Sequence, residues 1–296
     1  MRKPQTKKTG KRAKKTSAKS FHFFNIATIL LIVLTSFSIG IVFGLMRSFP
    51  VSYNPPVIAS AKEISSDYVQ PVGDVKVPIL VYHYVEFVKD QGDTVRKSLN
   101  ISPPIFENQI KTLKEEGYTF IMTADLGLYL DGKKPLPQKP VILTFDDGYE
   151  DFYTDVFPIL KKYNVVATAY IISGVLGHKN YMNPQQLKEI ASSGLVEIGA
   201  HSVHHPNLKA LPVETVEKEI FESKQMLEKA LGIKVVSFAY PYGGYTDEAE
   251  KLVERAGYTN AVGTKGGNIV NQNNRYVLFR IHPGIAIGQD LIKELK

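Results

Sequence analysis

Two adjacent carboxylates, Asp146 and Asp147, stand at the end of an apolar run in the stretch VILTFDDGYED, residues 141–151. Two like charges at the end of a buried strand repel each other and lose hydration, so the pair is costly unless something compensates it. An Asp at a strand-to-helix turn can accept backbone N–H bonds as a helix N-cap, which explains one of the two residues. A bound cation would explain both. The pair is therefore a candidate metal site or catalytic site.

Histidines are concentrated in the segment HSVHHP, residues 201–206. His201 and His205 are spaced i, i+4, so in a helical turn both rings would point the same way and could hold one ion. His201 with His204 is the alternative pair on spacing alone. The chain has no cysteine, so thiolate sites and disulfides are excluded. An Asp from another strand would complete a His-His-Asp set that leaves a position open for water, as a catalytic metal site requires.

The pattern of elements predicts how these residues meet. From Val77 onward, strand patterns alternate with helix patterns, which predicts an α/β fold with a parallel sheet, either open or closed into a barrel. His83 follows the apolar stretch PILVY (78–82), and the Asp pair, the His segment and Tyr242 each follow a predicted strand. In α/β folds this edge is where the chemistry is placed. Strands are predicted at 77–85, 119–122, 141–145, 165–172, 195–200, 235–240 and 276–281, and helices at about 102–116, 150–163, 184–193, 213–231 and 247–256.

The first residues of the chain have a different composition. Nine of the 36 Lys and Arg residues lie in residues 1–20, which hold none of the 29 acidic residues, so the rest of the chain is close to neutral. A nucleic-acid partner is not expected, because such proteins carry their positive charge on the folded domain. Residues 21–46 have no charged side chain, and the run Ile26–Met46 would span ~31 Å as a helix, enough to cross a bilayer.

This distribution predicts a single-pass signal anchor at 21–46, with residues 1–20 as a basic cytoplasmic tail. Residues 47–75 carry four prolines and are predicted to be an extracytoplasmic linker, with a domain at 76–296 beyond it. The chain would then be a cell-membrane protein with its domain outside the membrane. The alternative is secretion after signal cleavage, for which the only A-x-A-like site is Ala59-Ser60-Ala61, well beyond the apolar run.

TFDDGY (144–149) followed by HSxxHP (201–206) resembles the polysaccharide deacetylases, carbohydrate esterase family four, and the resemblance covers about residues 76–284. It implies a distorted (β/α) barrel of about seven parallel strands, here preceded by one transmembrane helix. It also implies Asp146 as general base and one divalent metal, usually zinc although cobalt or nickel can serve. The implied metal ligands are Asp147, His201 and His205, and the backbone N–H of Tyr242 is the implied donor to the oxyanion.

The chain departs from the pattern of this family at several motifs. The Arg-x-Pro-Tyr motif reads AYPY (239–242), so the Arg that steadies the base is expected to be missing, and the Asp-Trp motif is replaced by AVGTKGGN (261–268). His282, in FRIHP, stands where the family has its general acid. PILVYHYV (78–85) also resembles that strand, as in the circularly permuted poly-β-1,6-N-acetylglucosamine deacetylase branch. We therefore predict His83 as the general acid, with His282 as the alternative.

These residues together predict a hydrolase that removes N-acetyl groups from N-acetylglucosamine units of a cell-surface polysaccharide and releases acetate. The polysaccharide would be poly-β-1,6-N-acetylglucosamine or peptidoglycan, and the membrane would be the other partner, through residues 21–46. The alternative is a membrane-anchored, catalytically inactive glycan-binding protein on the same fold. The departures favour this alternative, whereas the intact Asp-Asp and His-His pairs argue against it.

Overall fold

The computed structural model describes residues 73–90 and 92–296. The predicted tail (1–20), anchor (21–46) and all but the last three residues of the predicted linker (47–75) lie outside the described residues. Within 73–90 and 92–296, no helix combines the length and the apolar character that crossing a membrane requires.

Eleven short strands occur in the described part of the chain, and seven of them form one sheet. In chain order they are β1 (Val75–Lys76), β2 (Ile79–Tyr82), β3 (Tyr84–Val85), β4 (Asn100–Ile101), β5 (Thr119–Ile121), β6 (Pro140–Phe145), β7 (Ala167–Ile171), β8 (Val196–Ala200), β9 (Ser237–Ala239), β10 (Asn260–Val262) and β11 (Ile269–Val270). The seven-stranded sheet has the order β10-β9-β8-β7-β6-β2, and β5 also pairs with β6. All of its pairings are parallel. Separately, β1 pairs with β11 and β3 pairs with β4.

The predicted strand 276–281 is wrong as a regular strand, because this segment divides its hydrogen bonds between two neighbours. The Ile281 N–H donates to the carbonyl oxygen of Ile79 in β2, at 2.8 Å, and the Leu278 N–H donates to that of Ala261 in β10, at 2.9 Å. Each contact is a single parallel bridge and not a ladder. The segment therefore links the two edge strands of the sheet, and the architecture is a parallel-strand α/β half-barrel.

Eight α-helices occur in the described residues, and five of them match the predicted positions. They are α1 (Thr94–Leu99), α2 (Pro103–Glu115), α3 (Thr123–Leu130), α4 (Phe157–Tyr163), α5 (Pro184–Ser192), α6 (Val213–Leu231), α7 (Asp247–Arg255) and α8 (Gly288–Glu294). The Asn183 side chain caps α5 and the Thr246 side chain caps α7 by accepting backbone N–H bonds. The predicted helix 150–163 begins with a π-helical turn, Phe152–Val156, before it continues as α4.

Strand β6 shows how the sheet is held in place. Successive strand residues point to opposite faces. Val141 and Leu143 therefore belong to the larger apolar cluster, together with Phe106 of α2 and Leu160 of α4. Ile142, between them, belongs to a second cluster on the other face. Because both faces are covered, β6 reads as a continuous apolar run, as strands of parallel sheets do.

Candidate metal centre and active site

The register of β2 and β6 brings His83 and the Asp pair together. Tyr82, the last residue of β2, pairs with Phe145, the last residue of β6. The next residues along the two strands are His83 and Asp146, and the Asp146 N–H continues the ladder by donating to the Tyr82 carbonyl oxygen at 3.0 Å. The two predicted catalytic side chains therefore leave the same edge of the sheet side by side.

The structure brings together Asp147, His201 and His205, the three residues that the family resemblance implies as metal ligands. The Asp147 Oδ1 atom lies 3.4 Å from His201 Nε2 and 3.2 Å from His205 Nε2. One potential ligand atom from each of the three residues lies within 4.8 Å of the others. Among residues 73–90 and 92–296, this is the group of His and acidic residues whose geometry can hold a metal ion.

The turn that aims the two rings is not the helical turn expected from the i, i+4 spacing. Residues 201–207 form neither helix nor strand. Ser202 and His205 both adopt left-handed backbone conformations, with φ of 62° and 59°, and the His205 N–H donates to Ser202 Oγ at 2.9 Å. Ring convergence therefore comes from two positive-φ residues in a loop, a conformation that helical spacing does not reveal.

The atoms of this group fit a divalent cation. His201 Nδ1 lies 2.7 Å from the carbonyl oxygen of Ala239, so the ring proton sits on Nδ1 and the Nε2 lone pair faces Asp147. Asp147 Oδ1 is buried and has no hydrogen-bond partner among the described residues. An unpartnered buried carboxylate oxygen is costly, and one carboxylate with two imidazoles is a donor set that zinc takes in catalytic sites.

His204 is not part of this group. Its Nδ1 lies 2.7 Å from Glu219 Oε1 in α6, and the other Glu219 oxygen, Oε2, accepts the N–H groups of Val203 and His204. Its side chain is 73 % exposed. The structure thus places His205, and not His204, beside His201.

Asp146 has a guanidinium partner, contrary to the expectation that this Arg is missing. Arg280 Nη1 donates to Asp146 Oδ1 at 2.8 Å and Nη2 donates to Oδ2 at 2.7 Å. Arg280 also donates from Nε to the Gly263 carbonyl oxygen at 2.7 Å and from Nη1 to Thr144 Oγ1 at 3.1 Å, and it is fully buried. The Arg therefore comes from the C-terminal segment and not from the AYPY motif.

A signal for Arg280 was present in the sequence, as the one charged residue of the apolar run YVLFRI (276–281). Arg280 has a large effect on the pKa of Asp146, the proposed base. Burial by itself would raise the pKa of Asp146, but the charge and hydrogen bonds of Arg280 hold the pKa of this carboxyl well below its usual range. Asp146 is consequently ionised and fixed in orientation.

Both candidate acids lie at this edge of the sheet. His83 Nε2 is 4.0 Å from Asp146 Oδ2. The His83 and His282 rings are nearly parallel, with 6.2 Å between their centroids. Burial, reinforced by His83 and Arg280, lowers the pKa of His282.

Tyr242 lies in the short 3₁₀ turn Pro241–Gly243 that follows β9, and it adopts φ 58° and ψ 10°. Its ring packs against His205, with 4.6 Å between the ring centroids, and its side chain is 67 % exposed. The residue predicted to serve the oxyanion therefore borders the group formed by Asp147, His201 and His205.

The assembled edge combines an ionised carboxylate, two neighbouring imidazoles and a potential cation site. These groups can activate a water, stabilise an oxyanion and protonate a leaving group, which are the requirements for hydrolysing an unreactive carbonyl compound such as an amide.

The sequence and the fold both resemble known proteins. The sequence profile described as "Polysaccharide deacetylase" matches residues 133–261. YxkH of Bacillus subtilis strain 168, whose name places it among the polysaccharide deacetylases, is 31 % identical over 231 residues, which are 77 % of this chain and 80 % of YxkH. The poly-β-1,6-N-acetyl-D-glucosamine N-deacetylase of Staphylococcus aureus strain MRSA252 is 30 % identical over 212 residues, which are 67 % of this chain and 71 % of that protein.

Among solved structures, the deacetylase PplD of Streptococcus pyogenes in complex with acetate superposes with a TM-score of 0.70. The two proteins are 31 % identical, and the match covers 76 % of this chain and 100 % of the PplD chain.

Proposed function

The chain belongs to the polysaccharide deacetylase family of enzymes, and from that premise we propose that it removes N-acetyl groups from N-acetylglucosamine units of a cell-surface polysaccharide in a metal-dependent reaction. The products are acetate and a glucosamine unit with a free amine. The observation that carries this proposal is the unpartnered Asp147 Oδ1 facing two imidazoles, beside an Asp146 that Arg280 keeps ionised.

The names of two similar proteins support the proposed substrate class. The Staphylococcus aureus relative is named for poly-β-1,6-N-acetyl-D-glucosamine, and PplD was solved with acetate, the small product of the proposed reaction. Poly-β-1,6-N-acetylglucosamine is therefore the favoured substrate, and peptidoglycan is the second one to test.

Asp147, His201 and His205 would hold one divalent cation, with zinc as the expected ion and cobalt or nickel as alternatives. When bound, such a cation supplies Lewis-acid polarisation of the acetamide carbonyl and lowers the pKa of a water toward ~7. The hydrogen bond from His201 Nδ1 to Ala239 orients that ring and keeps its Nε2 free.

Asp146 acts as the general base in this proposal. Arg280 keeps the carboxylate ionised and fixes its plane with two hydrogen bonds, so Asp146 can take a proton from the attacking water without reorganising. The water oxygen forms a bond to the acetamide carbon. The Tyr242 N–H donates to the resulting oxyanion, and one such donor is typically worth ~3 kcal/mol in the transition state.

His83 acts as the general acid. As the carbon–nitrogen bond breaks, His83 delivers a proton to the departing nitrogen, because an amine anion is a very poor leaving group. Its Nε2 lies 4.0 Å from the base, so one acetamide group can contact both residues. Burial, His83 and Arg280 all lower the pKa of His282, so His282 is less able than an ordinary histidine to hold the proton this step needs.

The structure weakens the ground for an inactive glycan-binding protein. That alternative drew support from the Arg missing in the AYPY motif, and Arg280 now occupies this role from another segment. The Asp-Trp motif is still absent from the sequence. Activity measurements distinguish an active deacetylase from an inactive glycan-binding protein.

We also propose that residues 21–46 anchor the chain in the cell membrane with residues 1–20 in the cytoplasm, with secretion after cleavage as the alternative. This rests on the charge and hydropathy of the sequence alone. An anchored enzyme would act on polysaccharide close to the membrane.

The test is acetate release by the purified full-length chain, offered β-1,6-linked N-acetylglucosamine oligomers and peptidoglycan in parallel. Each substrate is assayed with zinc and with a chelator. Zinc-dependent release from the β-1,6-linked oligomers supports the proposal, and release from peptidoglycan alone would change the substrate. Stoichiometric zinc binding without release from either substrate would favour the glycan-binding alternative.

A further inference from the structure

Asp151 is a buried acid in the stretch TFDDGYED, four residues after Asp147, and the site described above makes no use of it. Its side chain is only 7 % exposed. Its Oδ2 atom accepts the backbone N–H of Val85 at 2.6 Å. Val85 lies two residues after His83, so Asp151 connects the loop that carries the base with the segment that carries the acid.

The bond to Val85 lies on the side of β3 where the described part of the chain has no neighbouring strand. Among the residues that the structure describes, strand β3, Tyr84–Val85, pairs with β4 on one side only. The Glu86 N–H on that side donates to the Ile101 carbonyl oxygen. Backbone groups of successive residues in a strand point to opposite sides. The Val85 N–H therefore points away from β4, and the Asp151 side chain supplies the acceptor that no strand within 73–90 and 92–296 provides.

Asp151 is itself held by a local departure from regular helix. It directly precedes the π-helical turn Phe152–Val156, in which the N–H of Phe157 donates to the carbonyl oxygen of Phe152. Phe152 and Val156 are both buried in the main apolar cluster. π-Helical turns are rare and occur frequently at functional sites. Here the turn fixes the start of the helix and, with it, the carboxylate that reaches β3.

We propose, on the premise of the function proposed above, that Asp151 is a positioning residue for His83. Its carboxylate ties the Asp146–Asp147 loop to the segment behind His83. It thereby sets the separation between the proton acceptor and the proton donor, with 4.0 Å between Asp146 Oδ2 and His83 Nε2. Without the tie, the Val85 N–H would lose its acceptor, and packing would be the main remaining link between β3 and this loop, with the Tyr84 ring stacked on Tyr149 at 4.1 Å between centroids. His83 could then drift from the departing nitrogen. A misplacement of about 1 Å can cost ~100-fold in rate.

Position 151 needs a side chain that accepts a hydrogen bond from the Val85 N–H, and that side chain does not have to be charged. Burial raises the pKa of Asp151 to about 7, with the nearby Glu86 in the same direction and with the Val85 N–H and Arg96 opposing. Replacement by Asn keeps an acceptor oxygen and removes the cost of burying a charge. Asp151→Asn should therefore preserve the tie, whereas Asp151→Ala should break it.

The experiment is a double-mutant cycle in the full-length, zinc-loaded chain with the β-1,6-linked oligomer. Asp151→Ala should lower kcat by about 10- to 100-fold, with KM and zinc content unchanged, and Asp151→Asn should retain kcat within about threefold. In a His83→Ala background, Asp151→Ala should lower kcat little further, because the effects of substitutions at residues that act through one group do not add. Asp155→Ala is the matched control, since Asp155 lies in the same turn and its side chain, as far as the described residues go, accepts a hydrogen bond only from its neighbour Thr154.

A second readout does not depend on turnover. The imidazole N–H signals of His83, assigned in NMR spectra by comparison with His83→Ala, should shift in Asp151→Ala and stay in place in Asp151→Asn and Asp155→Ala. Equal kcat losses from Asp151→Ala in both backgrounds, or an unmoved His83 signal, would overturn the positioning role while leaving the deacetylase function intact. A wild-type rate in His83→Ala would overturn the acid assignment itself and this inference with it.

Discussion

Replacing Arg280 with Met removes the guanidinium partner of Asp146 and leaves an uncharged side chain of similar length in its place. In the native chain Arg280 is fully buried and makes two hydrogen bonds, of 2.8 and 2.7 Å, to Asp146. Charge-assisted bonds are worth about 1.5–3 kcal/mol each. Breaking a buried ion pair by removing one partner costs ~3–5 kcal/mol, because the other charge stays buried without compensation. We therefore expect Arg280→Met to lower the free energy of unfolding by ~3–5 kcal/mol.

The loss of stability in Arg280→Met should depend on pH. In the native chain the pKa of Asp146 is depressed, so its pairing adds stability above the unfolded pKa of ~3.9, and this is lost as pH falls through the folded-state value. In Arg280→Met, burial without the guanidinium raises the pKa of Asp146 instead. The difference in unfolding free energy should be largest at about pH 7 and shrink toward lower pH as the variant's Asp146 takes up a proton.

Urea unfolding of both proteins over a pH series measures the stability, and the pH profile of kcat/KM measures the ionisation of the base. The acidic limb of that profile should move to higher pH in Arg280→Met. Arg255→Met is the control, because Arg255 pairs with Glu217 at the surface, where such pairs contribute little. If Arg280→Met kept the native stability at every pH and an unchanged acidic limb, the role assigned to Arg280 would be refuted.

Three further predictions concern individual residues of the site. Asp146→Asn should lower turnover by ~10²–10⁴-fold, the usual contribution of general acid–base catalysis, with zinc content unchanged by metal analysis; near-native acetate release would contradict the base assignment. His83→Ala should lower kcat by a similar factor and His282→Ala by much less, and the opposite order in parallel acetate assays would exchange their roles. His205→Ala should weaken zinc binding measured by calorimetry, whereas His204→Ala should not, because His204 contacts Glu219 and not Asp147.

The regular elements of the fold could be predicted from the sequence because their causes are local. The apolar run VILTF is strand β6, and Gly232, with φ of 69°, ends α6 where the sequence indicated a stop. Three helices, α1, α3 and α8, were not predicted. They are short, at six to eight residues, and so few residues show too little periodicity to be recognised.

Residues 276–281 show where such local reasoning fails. Their apolar pattern is that of a strand, but their backbone groups are divided between β2 and β10. Whether an apolar run becomes a strand depends on the partner that its backbone finds, and the partners here are distant in the chain. The same segment carries Arg280, so the error in the fold and the missed residue in the site have one cause.

The sequence by itself determined the identity of the chemical groups: the Asp146–Asp147 pair, the His201–His205 spacing and the two candidate acids, each at the end of a predicted strand. Only the tertiary structure decided which of these groups meet. It paired Asp146 with an Arg 134 residues away and turned His204 toward α6. Side-chain chemistry and backbone periodicity are properties of neighbouring residues, whereas contacts between distant residues depend on strand register and on how the two edges of the sheet are joined.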